Sequence, residues 1–470
     1  MTDKFTDMLT RKLTVDWSKC EGPLDLRYHS IGIGGINPMP PTPDIIETIK
    51  KLKPPMVRIF LQEFFFIYKG NGVYDWSILD PYMEAVHAIG GDIMASICIK
   101  PNSLYPVIDE TIWMPTNVEE WQDVMRALVK RYSIEKPYVT HWTIANEQNI
   151  GELGACPYLI TNPDDYYQYY KFTAAPIRQV LPPEIKVGGP SYAGGGESAG
   201  TYLARFVELC KRDNVQVDFV CYNAYTDNPV HHALDGRAVR DALDKVDPGV
   251  KLYMTEMNVG IDDGLSLEEK PYQPACAASM AAAVLALHKN GCLDGSFQYH
   301  MYDQYAHPQH FESWYARVRY ITRYWNDTIN RVGLVDLDGK RRPQYYVYEM
   351  LYALEGQQVS ISGTNEALHG IASKSTDGSL NILLANYAGK GTPDAVTQFQ
   401  FSGADAGIYR LEITRIDKET CGKMKNEPGY ILTPTESRDT YVHPDFHFDV
   451  STPADSVTLI RLLNNKEEQQ

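Results

Sequence analysis

The sequence predicts an α/β chain: a (β/α)8 TIM barrel followed by a C-terminal antiparallel β-sandwich. Three observations carry this. Eight short apolar runs alternate with segments of helical period between residues 29 and 353, the rhythm of a parallel sheet with helices outside it. Beyond residue 355 the pattern changes to apolar–polar alternation broken by turn residues, the signature of a sandwich. Near the start, KLTVDW (12–17) alternates in the same way, apart from the barrel.

The strand candidates, in order, are HSIGIGG (29–35), MVRIF (56–60), DIMASICI (92–99), VTHWTIAN (139–146), KVGGP (186–190), VDFVCYNAY (217–225), KLYMTE (251–256) and SFQYHMY (296–302). Thr42-Pro43-Asp44 and Asn162-Pro163-Asp164 each read as a cap residue, a proline at the first helical position and an acid in the first turn. Further helices are expected at 77–89, 118–132, 198–213, 235–246, 272–289 and 343–353. Eight units close naturally into a barrel. A doubly wound open sheet is disfavoured because GIGGIN (32–37) lacks the last glycine of a phosphate-binding turn and is followed by Pro38 and Pro40.

The sandwich strands are expected in QQVSISGT, GIASKS, NILLANYA, AVTQFQFS, IYRLEITRI and SVTLIRLL. The resulting division is an N-terminal segment, 1–25, whose strand joins the sandwich; the barrel, 26–355; the sandwich, 356–465; and a disordered tail, 466–470.

The chain of 470 residues is 44% hydrophobic and 22% charged, a globular balance, with a net charge of -16. Binding to phosphates needs clustered cations, so neither nucleic acid nor an anionic membrane is expected as a partner. No apolar leader core is visible near the start, and a cytoplasmic location is expected. The eight scattered cysteines form no CxxC pair and are expected to be buried thiols in a reducing compartment. No cofactor is expected. His231 and His232 are expected in a loop and are not read as metal ligands.

In such a barrel the functional groups come from the C-terminal ends of the strands. The second strand delivers Arg58, the third Lys100, the fourth Asn146 and Glu147, and the sixth Asn223 and Tyr225. The seventh delivers Glu256 and the eighth Tyr299 and His300. Two glutamates thus end otherwise apolar strands, 109 residues apart. Three units of a ~250-residue barrel span roughly 95 residues, which fits a relation between strands four and seven. Those strands face each other across the mouth.

Two facing carboxylates suit acetal hydrolysis: one protonated, to release the leaving oxygen, and one ionised, to attack the anomeric carbon or activate water. Asn146 offers an amide to a sugar hydroxyl. Arg58, reaching Glu256, keeps that carboxylate ionised, and Tyr225 donates to the same group. Lys100 and His300 are rim groups available to an anionic or branched sugar. Tyrosines in YAHPQHFESWY (305–315) and CPYLI (156–160) offer faces for stacking on sugars.

NEQN (146–149) and TEMN (255–258) resemble the paired signatures of clan A glycoside hydrolases. YDWSILDPYMEAVHAIGG (74–91), KVGGPSYA (186–193) and GLVDLDGKRRPQYYVYEML (333–351) are similar to segments of glycoside hydrolase family 39, the β-xylosidase and α-L-iduronidase family. The resemblance covers nearly the whole chain. It implies a retaining exo-glycosidase on oligosaccharides or glycosides, with Glu147 as acid/base, Glu256 as nucleophile and their carboxyl groups ~5–5.5 Å apart. An endo-acting glycanase and a non-catalytic carbohydrate-binding barrel are the alternatives. The chain departs from the family pattern at Gln148 (usually proline), Met257 (usually tryptophan), Asn223-Ala224-Tyr225 (often His-x-Tyr) and FQYHMYDQY (where a tryptophan is common). These departures leave the chemistry and unsettle the choice of sugar.

Overall fold

The computed structural model describes residues 9–26, 29–259, 270–311, 325–326, 331–427 and 429–464. The expected tail, 466–470, and the second part of YAHPQHFESWY lie outside the described residues.

The barrel is a closed ring of parallel strands: His29–Gly32, Met56–Gln62, Asp92–Cys98, Val139–Ile144, a fifth strand in two pieces, Phe219–Tyr225, Lys251–Asn258 and Gly295–Tyr299. The fifth strand closes the ring by splitting. Lys186–Gly188 pairs with the fourth strand, and Ser191–Ala193 pairs with the sixth. Gly189 and Pro190 make the break, with Gly189 at a φ of +120° that only glycine adopts freely.

Four of the barrel helices begin where a side-chain oxygen caps them. Thr42, Asn117, Asn162 and Asn228 each accept from a backbone N–H of the first turn, and Pro43, Pro163 and Pro229 open three of those helices. The last of these corrects the sequence reading. The helix runs Pro229–Asp244, so His231 and His232 are helical and not in a loop.

The helix Pro274–Asn290 is alanine-rich and buried on nearly every face. A helix apolar all round belongs inside a core, and this one packs between the barrel and the outer face of the sandwich. Its neighbours Leu383, Ala385, Val457 and Leu459 share one continuous apolar cluster with the barrel.

The second domain is one nine-stranded sheet folded on itself. Its inner faces meet where Trp17 packs 5.5 Å from Tyr409 and 6.4 Å from Phe401. Leu9–Pro23 pairs antiparallel with Gln357–Ser362 and parallel with Ala395–Ser402. That parallel pair is an exception to the antiparallel pattern. Two strands, Glu436–Val442 and His447–Thr452, and a helix, Lys418–Asn426 with a capping box at Asp417, were not legible as elements. Seven of the eight cysteines are buried, and Cys20 is exposed. Among the described residues no helix is long and apolar enough to cross a membrane.

Candidate active site

The fourth strand ends at Ile144, and the chain then turns out of the sheet. Ala145 and Glu147 both adopt left-handed backbone, φ +68° and +46°. Such non-glycine conformations cost of order 1–3 kcal/mol and persist only where the surroundings enforce them. Here the backbone N–H of Glu147 donates to the Ser191 carbonyl at 2.7 Å. The Asn149 side chain then imitates a strand, accepting from Ala193 N at 2.8 Å and donating to Ala193 O at 3.0 Å. Gln148, where the family pattern has proline, is fully buried, and its amide faces the Tyr202 hydroxyl at 3.4 Å.

A cavity of about 470 Å³ opens at this end of the barrel, and Glu147 and Glu256 both line it. Arg58, fully buried, ties the two strand ends together from below. Its Nη1 donates to Glu256 Oε1 at 2.8 Å, and its Nη2 donates to Asn146 Oδ1 at 2.6 Å. Its guanidinium lies 4.3 Å from the centre of the Phe60 ring. The other oxygen of Glu256 accepts from the Tyr225 hydroxyl at 2.5 Å. Burial, and then the charge of Glu256, hold the Tyr225 hydroxyl far above its ordinary range, so it stays a donor.

Glu147 has a different environment. It accepts one hydrogen bond from Asn223 Nδ2, at 2.8 Å. Burial, and then the nearby charge of Glu256, raise its pKa to about 8. Asn223 is anchored in turn, since its Oδ1 accepts from Thr255 Oγ1 at 2.8 Å and Ser191 Oγ at 3.2 Å. Gly154 makes room for Glu147: a Cβ there would lie 2.3 Å from its Oε2.

The residues expected at the strand ends therefore separate into two groups. Asn146, Glu147, Asn223, Tyr225, Glu256 and Tyr299 line the cavity, and Arg58 supports it from beneath. Asn146 gives one amide proton to the Gly154 carbonyl at 3.1 Å and has a second to offer a ligand. Lys100 and His300 do not line the cavity. The Lys100 ammonium turns away to the carbonyls of Asp109 and Pro157, at 2.7 and 3.0 Å, between the rings of Tyr105 and Tyr158. His300 is fully buried, its Nδ1 bonded to the Tyr302 carbonyl at 2.8 Å, and it packs against Tyr299 and Trp325. Tyr158 is a core residue whose hydroxyl donates to Ile99 O.

The aromatic wall is instead made by Phe60, Tyr225, Tyr299 and Trp325. Tyr299 stands edge-on to the other three at 6.0–6.4 Å. Sequence reasoning missed Trp325, which no strand-end rule could find, and Asp235, which lines the cavity from a helix.

A closed parallel barrel with an acid-lined cavity at the C-terminal ends of its strands is the frame of a TIM-barrel enzyme. Comparison with known proteins gives the particular kind. The model of glycosyl hydrolases family 39 matches residues 105–422. The chain belongs to that family of glycosyl hydrolases. A β-xylosidase of Geobacillus stearothermophilus is 26% identical over 210 residues, which span 39% of this chain and 38% of that protein. A monomeric β-xylosidase from Caulobacter crescentus CB15 superposes with a TM-score of 0.72 at 18% identity, covering 97% of this chain and 100% of that one. The GH39 enzyme from Xanthomonas axonopodis pv. citri gives 0.73 at 17% identity, covering 98% and 99%. At such identities the superpositions establish the fold.

Proposed function

We propose that the protein is an exo-acting glycosidase of β-xylosidase-like specificity, working by double displacement with Glu256 as nucleophile and Glu147 as acid/base. The observation that carries the reading is the contrast between two carboxylates in one cavity. Glu256 is engaged by a buried guanidinium and a phenol, whereas Glu147 accepts a single amide and has its pKa raised to about 8. Titratable groups whose environments differ in this way are what an acid and a nucleophile require.

In the first step a Glu256 oxygen attacks the anomeric carbon as the bond to the leaving oxygen breaks. The proton of Glu147 goes to that oxygen, leaving a glycosyl ester on Glu256. Glu147, now a carboxylate, takes a proton from water. The resulting nucleophile displaces Glu256 and releases the sugar with its original anomeric configuration. Throughout, Arg58 and Tyr225 hold Glu256 in position, and Asn223 holds Glu147.

The cavity, at about 470 Å³, has the size of a site for one small ligand, which supports terminal-residue cleavage. The β-xylosidase relatives support the choice of sugar. The test is turnover of nitrophenyl glycosides: β-xyloside should be among the best, and Glu256→Ala should abolish hydrolysis. A fully active Glu256→Ala enzyme contradicts the mechanism.

A further inference from the structure

Asp235 sits in the second turn of the helix Pro229–Asp244 and lines the same cavity as Glu147 and Glu256. Its side chain occupies space vacated by glycines in the loop after the fifth strand. A Cβ on Gly195 would lie 2.6 Å from its Oδ2, and one on Gly196 would lie 3.0 Å from its Oδ1. Gly196 has a φ of +66°, so a side chain is disfavoured there on backbone grounds as well. The loop is thus shaped around this carboxylate.

No hydrogen bond or ion pair within the described residues engages either oxygen, although the side chain is half-buried. Burial raises its pKa, and the only opposing influence is His231, exposed one turn earlier on the same helix. A half-buried carboxylate is an acceptor that gains from a donor supplied by a ligand. Among the described residues that line the cavity there is no Lys, Arg or His, since Arg58 lies beneath and Lys100 points away. Among the described residues of the lining, the carboxylates are Glu147, Glu256 and Asp235.

We propose that Asp235 is a substrate-binding residue that accepts hydrogen bonds from a hydroxyl of a neutral sugar and selects against uronic acids. A uronate would bring a further carboxylate beside Glu147, Glu256 and Asp235 into a cavity with no cation in its described lining, whereas a neutral sugar supplies the donors Asp235 lacks. The inference rests on the glycosidase reading above and narrows its substrate to neutral glycosides.

The test compares the unaltered enzyme with Asp235→Ala and Asp235→Asn. The substrates are nitrophenyl xyloside, glucoside and arabinoside, the singly deoxygenated analogues of the best of these, the glucuronide and the glucosaminide. Asp235→Ala should lower kcat/KM on the best neutral glycoside about 10- to 100-fold, chiefly through KM, as expected for a hydrogen bond to a charged group. The loss should vanish on the one deoxy analogue that lacks the bound hydroxyl. Asp235→Asn should lose less and should cleave the glucuronide better than the unaltered enzyme does. Neither variant should lower Tm, since the side chain holds nothing in place.

Unchanged kinetics on neutral glycosides, or an equal loss on every deoxy analogue, overturns the proposal. So does a glucuronide or glucosaminide cleaved better than the neutral sugars by the unaltered enzyme. Failure of the unaltered enzyme to cleave any of these substrates would count against the function proposed above. Calorimetric binding of the methyl glycosides and their deoxy forms to the unaltered enzyme and Asp235→Ala would then decide the inference by the same pattern of losses.

Discussion

Arg58 Nη1 donates to Glu256 Oε1 at 2.8 Å, and both side chains are buried. The pair joins the second strand to the seventh beneath the cavity, and the second arm of the same guanidinium reaches Asn146 beside Glu147. Breaking a buried pair from one side leaves an uncompensated charge and costs about 3–5 kcal/mol. Arg58→Met should lose stability on that scale in urea unfolding and lose most activity. Arg58→Lys should keep more stability yet still lose activity, because an ammonium lacks the planar fork that serves both partners.

Gly154 offers a steric probe of Glu147. Its φ lies outside the left-handed region, so alanine meets no backbone penalty there, but the added Cβ would meet Glu147 Oε2 at 2.3 Å. Gly154→Ala should therefore displace the carboxyl and lower kcat about 100-fold or more, since a displacement near 1 Å at reacting groups costs that much. Thermal unfolding should fall as well, because the same Cβ would lie 2.4 Å from Glu147 Cβ, which is fixed to the backbone. Kinetics and a melting curve on the same preparation check both halves.

The pH profile follows from the state of Glu147. The acid/base must be protonated to start the reaction, and burial and the charge of Glu256 place its pKa at about 8. The fall of kcat/KM on the basic side should centre near pH 8. Glu256→Gln removes the negative neighbour, so the Glu147 carboxyl should titrate lower in that variant by carbon-13 NMR. A titration that does not move would remove Glu256 as a cause.

Glu63 gives a stability prediction of known sign. It is buried, and desolvation raises its pKa from 4.5 to about 8, against the hydrogen bond it accepts from Lys100 N at 2.8 Å. The unfolded chain releases this proton at the lower value and the folded chain at the higher. Between them the folded state holds more protons, so stability is full below about 4.5 and is lost as pH rises through 8. Glu63→Gln should flatten the decline in Tm over that window, measured against the unaltered enzyme at each pH.

Much of the barrel was legible because most strands are short apolar runs and several of the helices between them open on a cap residue. Glu147 and Glu256 stood out because each ends such a run. What stayed hidden has physical reasons. The helix that carries Asp235 was expected at 235–246, but its first turns, from the Asn228-Pro229 cap, were missed because two histidines and Gly236 interrupt the pattern. Ser191 and Thr255, which anchor Asn223, are small hydroxyl residues with no periodic signal. Lys100 was placed correctly at a strand end, yet tertiary packing turned its ammonium to two carbonyls and two rings away from the cavity. A strand-end rule gives the position of a residue and not the direction of a long side chain. Gln148 shows the same limit: its role is set by Tyr202, 54 residues away in the chain.

The central claim is that Glu256 forms the covalent bond to the sugar. The most direct measurement is trapping with an activated 2-deoxy-2-fluoroglycoside of the preferred sugar, followed by mass spectrometry of the digested protein. A single glycosyl adduct is expected on the peptide that contains Glu256, at that side chain. An adduct on Glu147, or complete turnover assays with no adduct and an inverted product, would contradict the claim.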